Sequence, residues 1–414
     1  MFKLRLIAIH LILLFVSFSA FSMVYDNRFL PLYKRPYSRK LDKPSRAGFD
    51  FFAMAADSAE GEHDECVLIP RIFGVYDQGN LGHAISCLGC PNPLRDELQN
   101  VKNLIWTIDG KIKAQGVSLV YDQAIGKYFY FGASCLFMST HSTHSFIFDR
   151  TESGLKVGED SYSDIYDAMY KMHDMIGIRK ANAHQIGFGD IDCYLRVGNI
   201  WDFLYTFRRI DAGLSLGCFI PTGNTTCVDS PASIPFGGNG HWGFYVNTDL
   251  EVEFKEDMKL SFLFQLIKRK SKVVPKRVPL AKEHPLYGAL ATKVDVDPGM
   301  TFVFSPLFSW ENMRGGLGLS AGYTLVYHKP DCWTDIRPKA QKDCCPINLE
   351  NLNCITSWKA DYVNLCAFYD FGSLKTRRSL DPVVTLSWDV PSFLFSGRNV
   401  PKTHRICLAF DVNF

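Results

Sequence analysis

The chain has 414 residues, with 45 Lys and Arg against 43 Asp and Glu, for a formal charge of +2. That balance excludes a polyanion as the main partner, and 47% hydrophobic content excludes wholesale disorder. Thirteen cysteines are too sparse for a small disulfide-built scaffold, while 32 Phe, 18 Tyr and 7 Trp make an aromatic excess that needs a cause. The N-terminus comes first. Lys3 and Arg5 precede an apolar run from Leu6 to Val16, and Ala20 and Ser22 are the small residues a signal peptidase reads. Residues 1–22 are therefore predicted to be a secretory signal peptide. Residues 23–46 form a polar, basic lead-in with Arg28, Lys34, Arg35, Arg39 and Lys40.

From residue 47 onward the hydrophobic pattern has period two, the mark of strands with one apolar face. Twelve segments show it: 47–56, 112–122, 127–138, 187–198, 203–220, 242–254, 258–268, 300–310, 315–328, 359–371, 382–390 and 404–414. In the fourth, Ile191, Cys193, Leu195 and Val197 alternate with Asp190, Asp192, Tyr194 and Arg196. In the sixth, Phe244, Val246, Leu250 and Val252 alternate with Tyr245, Asn247, Asp249, Glu251 and Glu253. In the last, Ile406, Leu408, Phe410, Val412 and Phe414 alternate with Arg405, Cys407, Ala409, Asp411 and Asn413. Most segments reach the roughly 9–11 residues of a tilted membrane strand, against about 5–6 for a soluble one. The connections alternate long and short, as in an up-and-down barrel with loops at one rim and turns at the other.

These features resemble a Gram-negative outer-membrane β-barrel of the porin or channel kind. The resemblance implies an all-β fold, a single antiparallel up-and-down transmembrane barrel of about twelve strands over 47–414. It also implies long extracellular loops, short periplasmic turns, and a periplasmic place for the lead-in 23–46. In that class the terminal strand is read by the barrel-assembly machinery, which maps the assembly signal to Ile406, Leu408, Phe410, Val412 and Phe414. The aromatic excess then has a cause, because the lipid-facing wall is apolar and its rims favour Trp and Tyr. Trp201, Tyr205, Tyr323, Tyr327 and Trp388 are girdle candidates. The rival fold is a soluble β-sandwich whose apolar faces pack together.

The polar face supplies the candidate selectivity residues: Asp190, Asp192, Arg196, Asp249, Glu251, Glu253, Lys259 and Arg405. Charges in a narrow barrel are paired or hydrated, so they either cross-link a filled lumen or line a water path. Lys268, Arg269, Lys270, Lys272, Lys276 and Arg277 form a basic fourth long loop, either a solvated surface or a mouth that attracts anions. In the second long loop, Ile165, Met169, Met172 and Ile176 have helical spacing, for a segment that folds inward or covers the mouth.

Eight cysteines fall in long connections, which suits disulfide-tied surface loops in an oxidising compartment. The rival is a zinc site at Cys87-x-x-Cys90, which lacks a second pair at ligand spacing. His141-x-x-His144 is likewise two histidines alone, and His241-Trp242-Gly243-Phe244 lacks the serine that a lipid-hydrolysing barrel would carry. No nucleotide-binding run or basic-aromatic nucleic-acid face is present. The reading is a passive or substrate-selective channel for small solutes in a bacterial outer membrane. It has no catalytic residue, cofactor or metal, and its partners are membrane lipids and the assembly machinery. A closed structural or adhesive barrel with cysteine-bearing binding loops is the second reading.

Overall fold

A computed structural model describes residues 27–30, 43–63, 65–94, 104–148, 160–178, 181–203, 207–255, 257–280, 282–374, 380–392, 394 and 397–414. The signal-peptide segment 1–22 lies outside the described residues. Twelve strands form one antiparallel sheet: β1 (Ser45–Ala56), β2 (Ile105–Ile125), β3 (Phe129–Phe148), β4 in two pieces (Ala183–Phe188 and Ile191–Asp202), β5 (Arg209–Ile220), β6 (Gly243–Lys255), β7 (Met258–Arg269), β8 (Thr301–Arg314), β9 (Leu317–His328), β10 (Trp358–Asp370), β11 (Asp381–Pro391) and β12 (His404–Asn413). Each pairs with the next, and the sheet closes on itself. Phe49 of β1 stands opposite Leu119 of β2 on one side and Phe410 of β12 on the other.

All twelve predicted segments are strands of this wall. The largest departures are β2 and β3, which run for 21 and 20 residues and pair from Ile125–Phe129 up to Trp106–Phe148. Their upper ends extend because Trp106, Ile108 and Phe148 are apolar and find a core above the rim. The fifth strand starts at Arg209 rather than 203. The β8–β9 turn is the pair Gly315–Gly316, both at positive φ, as a two-residue hairpin requires.

The two faces of the wall settle why this sheet curls. Outward positions are apolar and exposed, with Phe51, Leu216, Phe244, Leu266, Leu386 and Ile406 among them. Inward positions are polar and buried, with Asp50, Asp192, Arg196, Asp211, Lys259 and Arg405 among them. A soluble protein has the reverse arrangement, and a belt of this extent would be unstable in water. A β-sandwich is thereby overturned, because its apolar faces would be the buried ones. Trp201, Tyr327 and Trp388 are exposed on the outer wall, while Tyr323 donates a hydrogen bond to Asp361 Oδ2 at 2.8 Å. Tyr205 lies outside the described residues.

The described residues of connections 57–104, 149–182, 221–242, 270–300, 329–357 and 392–403 lie at one rim, called here the loop rim; the other strand ends meet at the turn rim. Above the loop rim sit α1 (Gln78–Cys87) and α2 (Asp160–Met175). Asp77 caps α1 by accepting from the Gly79 amide at 2.9 Å. The helix expected around Ile165 is α2. Its Ile165, Met169 and Met172 are fully buried against Leu81, Ile85 and Trp106, so it covers the mouth by packing on α1 and the raised ends of β2 and β3.

Residues 27–30 lie within the loop half of the lumen. Asn27 Nδ2 donates to Pro235 O at 2.6 Å, and Leu30, 1% exposed, packs in one cluster with the inward Phe52, Met54 and Ala409. These four residues, of the lead-in 23–46, thus sit in the loop half. The physical reason is local: Phe29 and Leu30 are apolar, and the first long connection offers them Ile69, Ile72 and Phe73.

Candidate solute pathway

All eight candidate selectivity residues face the lumen, and the structure adds the partners of each. Arg196 lies across two aspartates, with Nε 3.0 Å from Asp249 Oδ1 and Nη2 2.8 Å from Asp211 Oδ1. It fits only because its strand neighbours offer no side chain; a Cβ at Gly213 would collide with the guanidinium. Lys259 Nζ reaches Glu311 at 2.9 Å and Glu251 at 3.7 Å, while Arg209 bridges Glu251 and Glu253 at 3.3 and 3.6 Å. Arg405 Nε is hydrogen-bonded to Asp389. Asp192 accepts from the Tyr245 hydroxyl at 2.7 Å, and Asp190 pairs with Arg269 Nη1 at 2.9 Å.

Besides Arg209 and Glu311, further members of this network lie beyond the predicted eight. Asp211 and Asp389 are the partners just named. Arg46 Nη2 meets Asp411 at 2.9 Å and Arg46 Nη1 meets Asp122 at 3.7 Å, while Asp122 also accepts from Tyr194. The signal for them was present, since each acid sits at an inward position of a period-two strand. In the turn half the inner wall is therefore lined with paired charge, each pair joining neighbouring or next-neighbouring strands.

The basic fourth loop is corrected in form. Arg269 is the last inward residue of β7 and belongs to the lumen. Lys272–Val278 is a strand, paired to Leu290–Asp297, which pairs in turn with Cys332–Asp335. This small sheet buries Val274, Val278, Val294 and Val296, an alternation that the cluster of charges concealed. Its basic side chains point several ways. Lys268 pairs with Asp297 at 2.9 Å where both are half exposed, and Lys272 Nζ donates to Gly240 O at 3.0 Å. Lys270 is exposed. Arg277 satisfies the carbonyls of Val228, Gly288 and Ile176.

Above the turn-half network lies a cavity of about 290 Å³, bounded by residues 27–29, the loop segments 226–241, 275–277 and 328–333, and the upper wall at Ser142 and His144. Beside it is an aromatic cluster that holds the cap together. The Tyr76 hydroxyl is 2.8 Å from His173 Nε2, His144 Nδ1 is 2.8 Å from the Tyr287 hydroxyl, and His284 Nε2 is 3.1 Å from Pro70 O. Burial holds both His173 and His284 down at about 4, with Arg277 and Arg71 respectively adding to the effect. No spacing in the sequence joins these residues; three separate connections and the raised end of β3 bring them together.

The smaller motifs resolve structurally. His141 and His144 face opposite sides of β3, so they cannot share a metal; His141 lies beside His184 outside, at 6.2 Å between rings. His241 is buried and its Nδ1 is 3.0 Å from Lys270 O. No disulfide joins the eight loop cysteines in this structure. Cys345 Sγ lies 3.7 Å from Cys344 Sγ and 3.7 Å from Cys87 O, so the first and fifth long connections meet there. Among the described residues no group of three metal ligands forms around Cys87 or Cys90.

No family model matches the chain, and no curated protein matches it. Solved structures do. The COG4313 outer membrane channel from Pseudomonas putida F1 is similar over 92% of this chain and 100% of that one, with a TM-score of 0.52 and 11% identity. The fold is that of an outer-membrane β-barrel. A FadL homologue of Pseudomonas aeruginosa matches over 90% of each chain at 9% identity, with a TM-score of 0.33. The NanC porin matches over 75% of this chain and 98% of its own at 9% identity, with a TM-score of 0.29.

Proposed function

We propose that the protein is a selective channel for small solutes in a bacterial outer membrane, with its loop rim outside and its turn rim facing the periplasm. The observation that carries this reading is the closed wall whose outer face is apolar and whose inner face is charged. Such a wall suits a lipid environment outside and a polar path inside. The pairing of its lumen charges makes it a narrow path rather than an open pore. Twelve strands support this, since wide aqueous channels are built from about 16–18. The outward Ile406, Leu408, Phe410, Val412 and Phe414 serve as the assembly signal. Membrane lipids and the assembly machinery are the partners of the outer wall.

Conductance of the folded chain in a planar bilayer tests the reading. Discrete steps are expected, and reversing Glu251 and Glu253 to Lys should move selectivity toward anions while releasing Arg209 and Lys259 from their acids. A correctly inserted barrel with no conductance would refute the channel. Steps whose selectivity ignores the double reversal would refute the assignment of these residues.

A further inference from the structure

We propose that the loop-half cavity binds a small organic anion, a carboxylate carried on an apolar body. This deepens the channel reading, on which it rests, by naming the class of solute. The cavity, about 290 Å³, is at the lower edge of the roughly 300–1,000 Å³ of small-molecule sites. Its lining carries four cationic side chains, Arg28, Arg269, Lys276 and Arg277, against one carboxylate, Asp331. Two of the four are fully engaged. Arg269 holds Asp190, and all three donor nitrogens of Arg277 are on carbonyls.

The other two are not. Arg28 donates hydrogen bonds through Nη1 alone, to the carbonyls of Ile355 and Asn399 at 3.0 and 3.5 Å, while its guanidinium lies 4.5 Å over the Phe73 ring. Lys276 gives one hydrogen bond, to Thr226 Oγ1 at 2.9 Å. Neither has a carboxylate at ion-pair distance among the described residues. Both sense Asp331 at longer range, and Asp331 is already engaged by His328 Nε2 at 3.0 Å and the Gly299 amide at 2.8 Å. Enclosed cations without a counter-charge are unfavourable, and burial holds the Lys276 ammonium down at about 8. A carboxylate entering the cavity supplies the charge and accepts from the free Arg28 and Lys276 donors. The remaining walls, Phe29, Phe73 and Trp358, are apolar and suit an organic body better than a hydrated inorganic ion.

The test titrates the full chain, folded in detergent, with benzoate at pH 7. Binding is read by calorimetry and by the fluorescence of Trp333 and Trp358, both in the lining. Saturable binding is expected. Lys276→Met and Arg28→Met should each weaken it at least tenfold, and Lys268→Met, outside the cavity, should not change it. Benzyl alcohol, of similar size without the charge, should bind at least tenfold more weakly, and inorganic phosphate should not displace benzoate. Raising the pH of the unaltered protein from 7 to 9.5 discharges Lys276 and should weaken binding several-fold, which needs no variant to fold. Equal binding of benzyl alcohol, equal affinity in Lys276→Met, displacement by phosphate, or no response to pH would overturn the site. The assay has no membrane gradient, so failure here leaves conductance intact, and a silent bilayer leaves benzoate binding intact.

Discussion

The turn half and the loop half of the lumen share the same twelve strands and are filled by different means. In the turn half the contents are side chains of the wall itself, paired acid to base: Arg46 with Asp122 and Asp411, Arg196 with Asp211 and Asp249, Arg209 with Glu251 and Glu253. In the loop half the contents come from elsewhere in the chain, from residues 27–30 and from the long connections, and they are largely apolar. A charged filling holds its position by mutual neutralisation, so removing one member leaves others stranded. An apolar filling loses packing when trimmed and gains nothing by repulsion.

That contrast orders the expected effects. Arg196→Ala should cost about 3–5 kcal/mol, since it leaves Asp211 and Asp249 uncompensated in a buried site. Denaturant unfolding in vesicles reads it, and a loss under about 1 kcal/mol would show that water screens this half. Leu30→Ala should cost about 2–3 kcal/mol, the lower part of the range for a buried leucine. Its effect should appear as faster proteolysis of the cap, with the wall intact. Acid separates the halves further. His173 and His284 sit near 4 in the folded cap against about 6.5 unfolded, so their contribution is complete above 6.5 and is lost as pH falls toward 4. Protease sensitivity of the cap should rise across that window, and a flat profile would contradict the buried neutral histidines. Smallest, Lys268→Ala removes a half-exposed pair with Asp297 and should change stability by less than about 1 kcal/mol.

The wall was legible in the sequence because membrane strands write their two environments alternately, residue by residue. All twelve segments and the facing of Asp190, Asp192, Arg196, Asp249, Glu251, Glu253, Lys259 and Arg405 follow from that period. The helix at Ile165–Met172 was legible for the same reason at a different period. What escaped lies where packing partners are distant. Leu30 meets Met54 and Ala409, Asn27 meets Pro235, and Tyr76 meets His173, contacts that no local pattern announces. The strand at Lys272–Val278 was masked by its charges, Lys272, Lys276 and Arg277, while Val274 and Val278 hold the small sheet.

Residues 27–30 lie near one mouth, whereas Ser45, which follows them in the chain, is hydrogen-bonded to Phe414 at the other. The first described stretch of the chain and the seam where the ring closes therefore belong to opposite halves of the barrel.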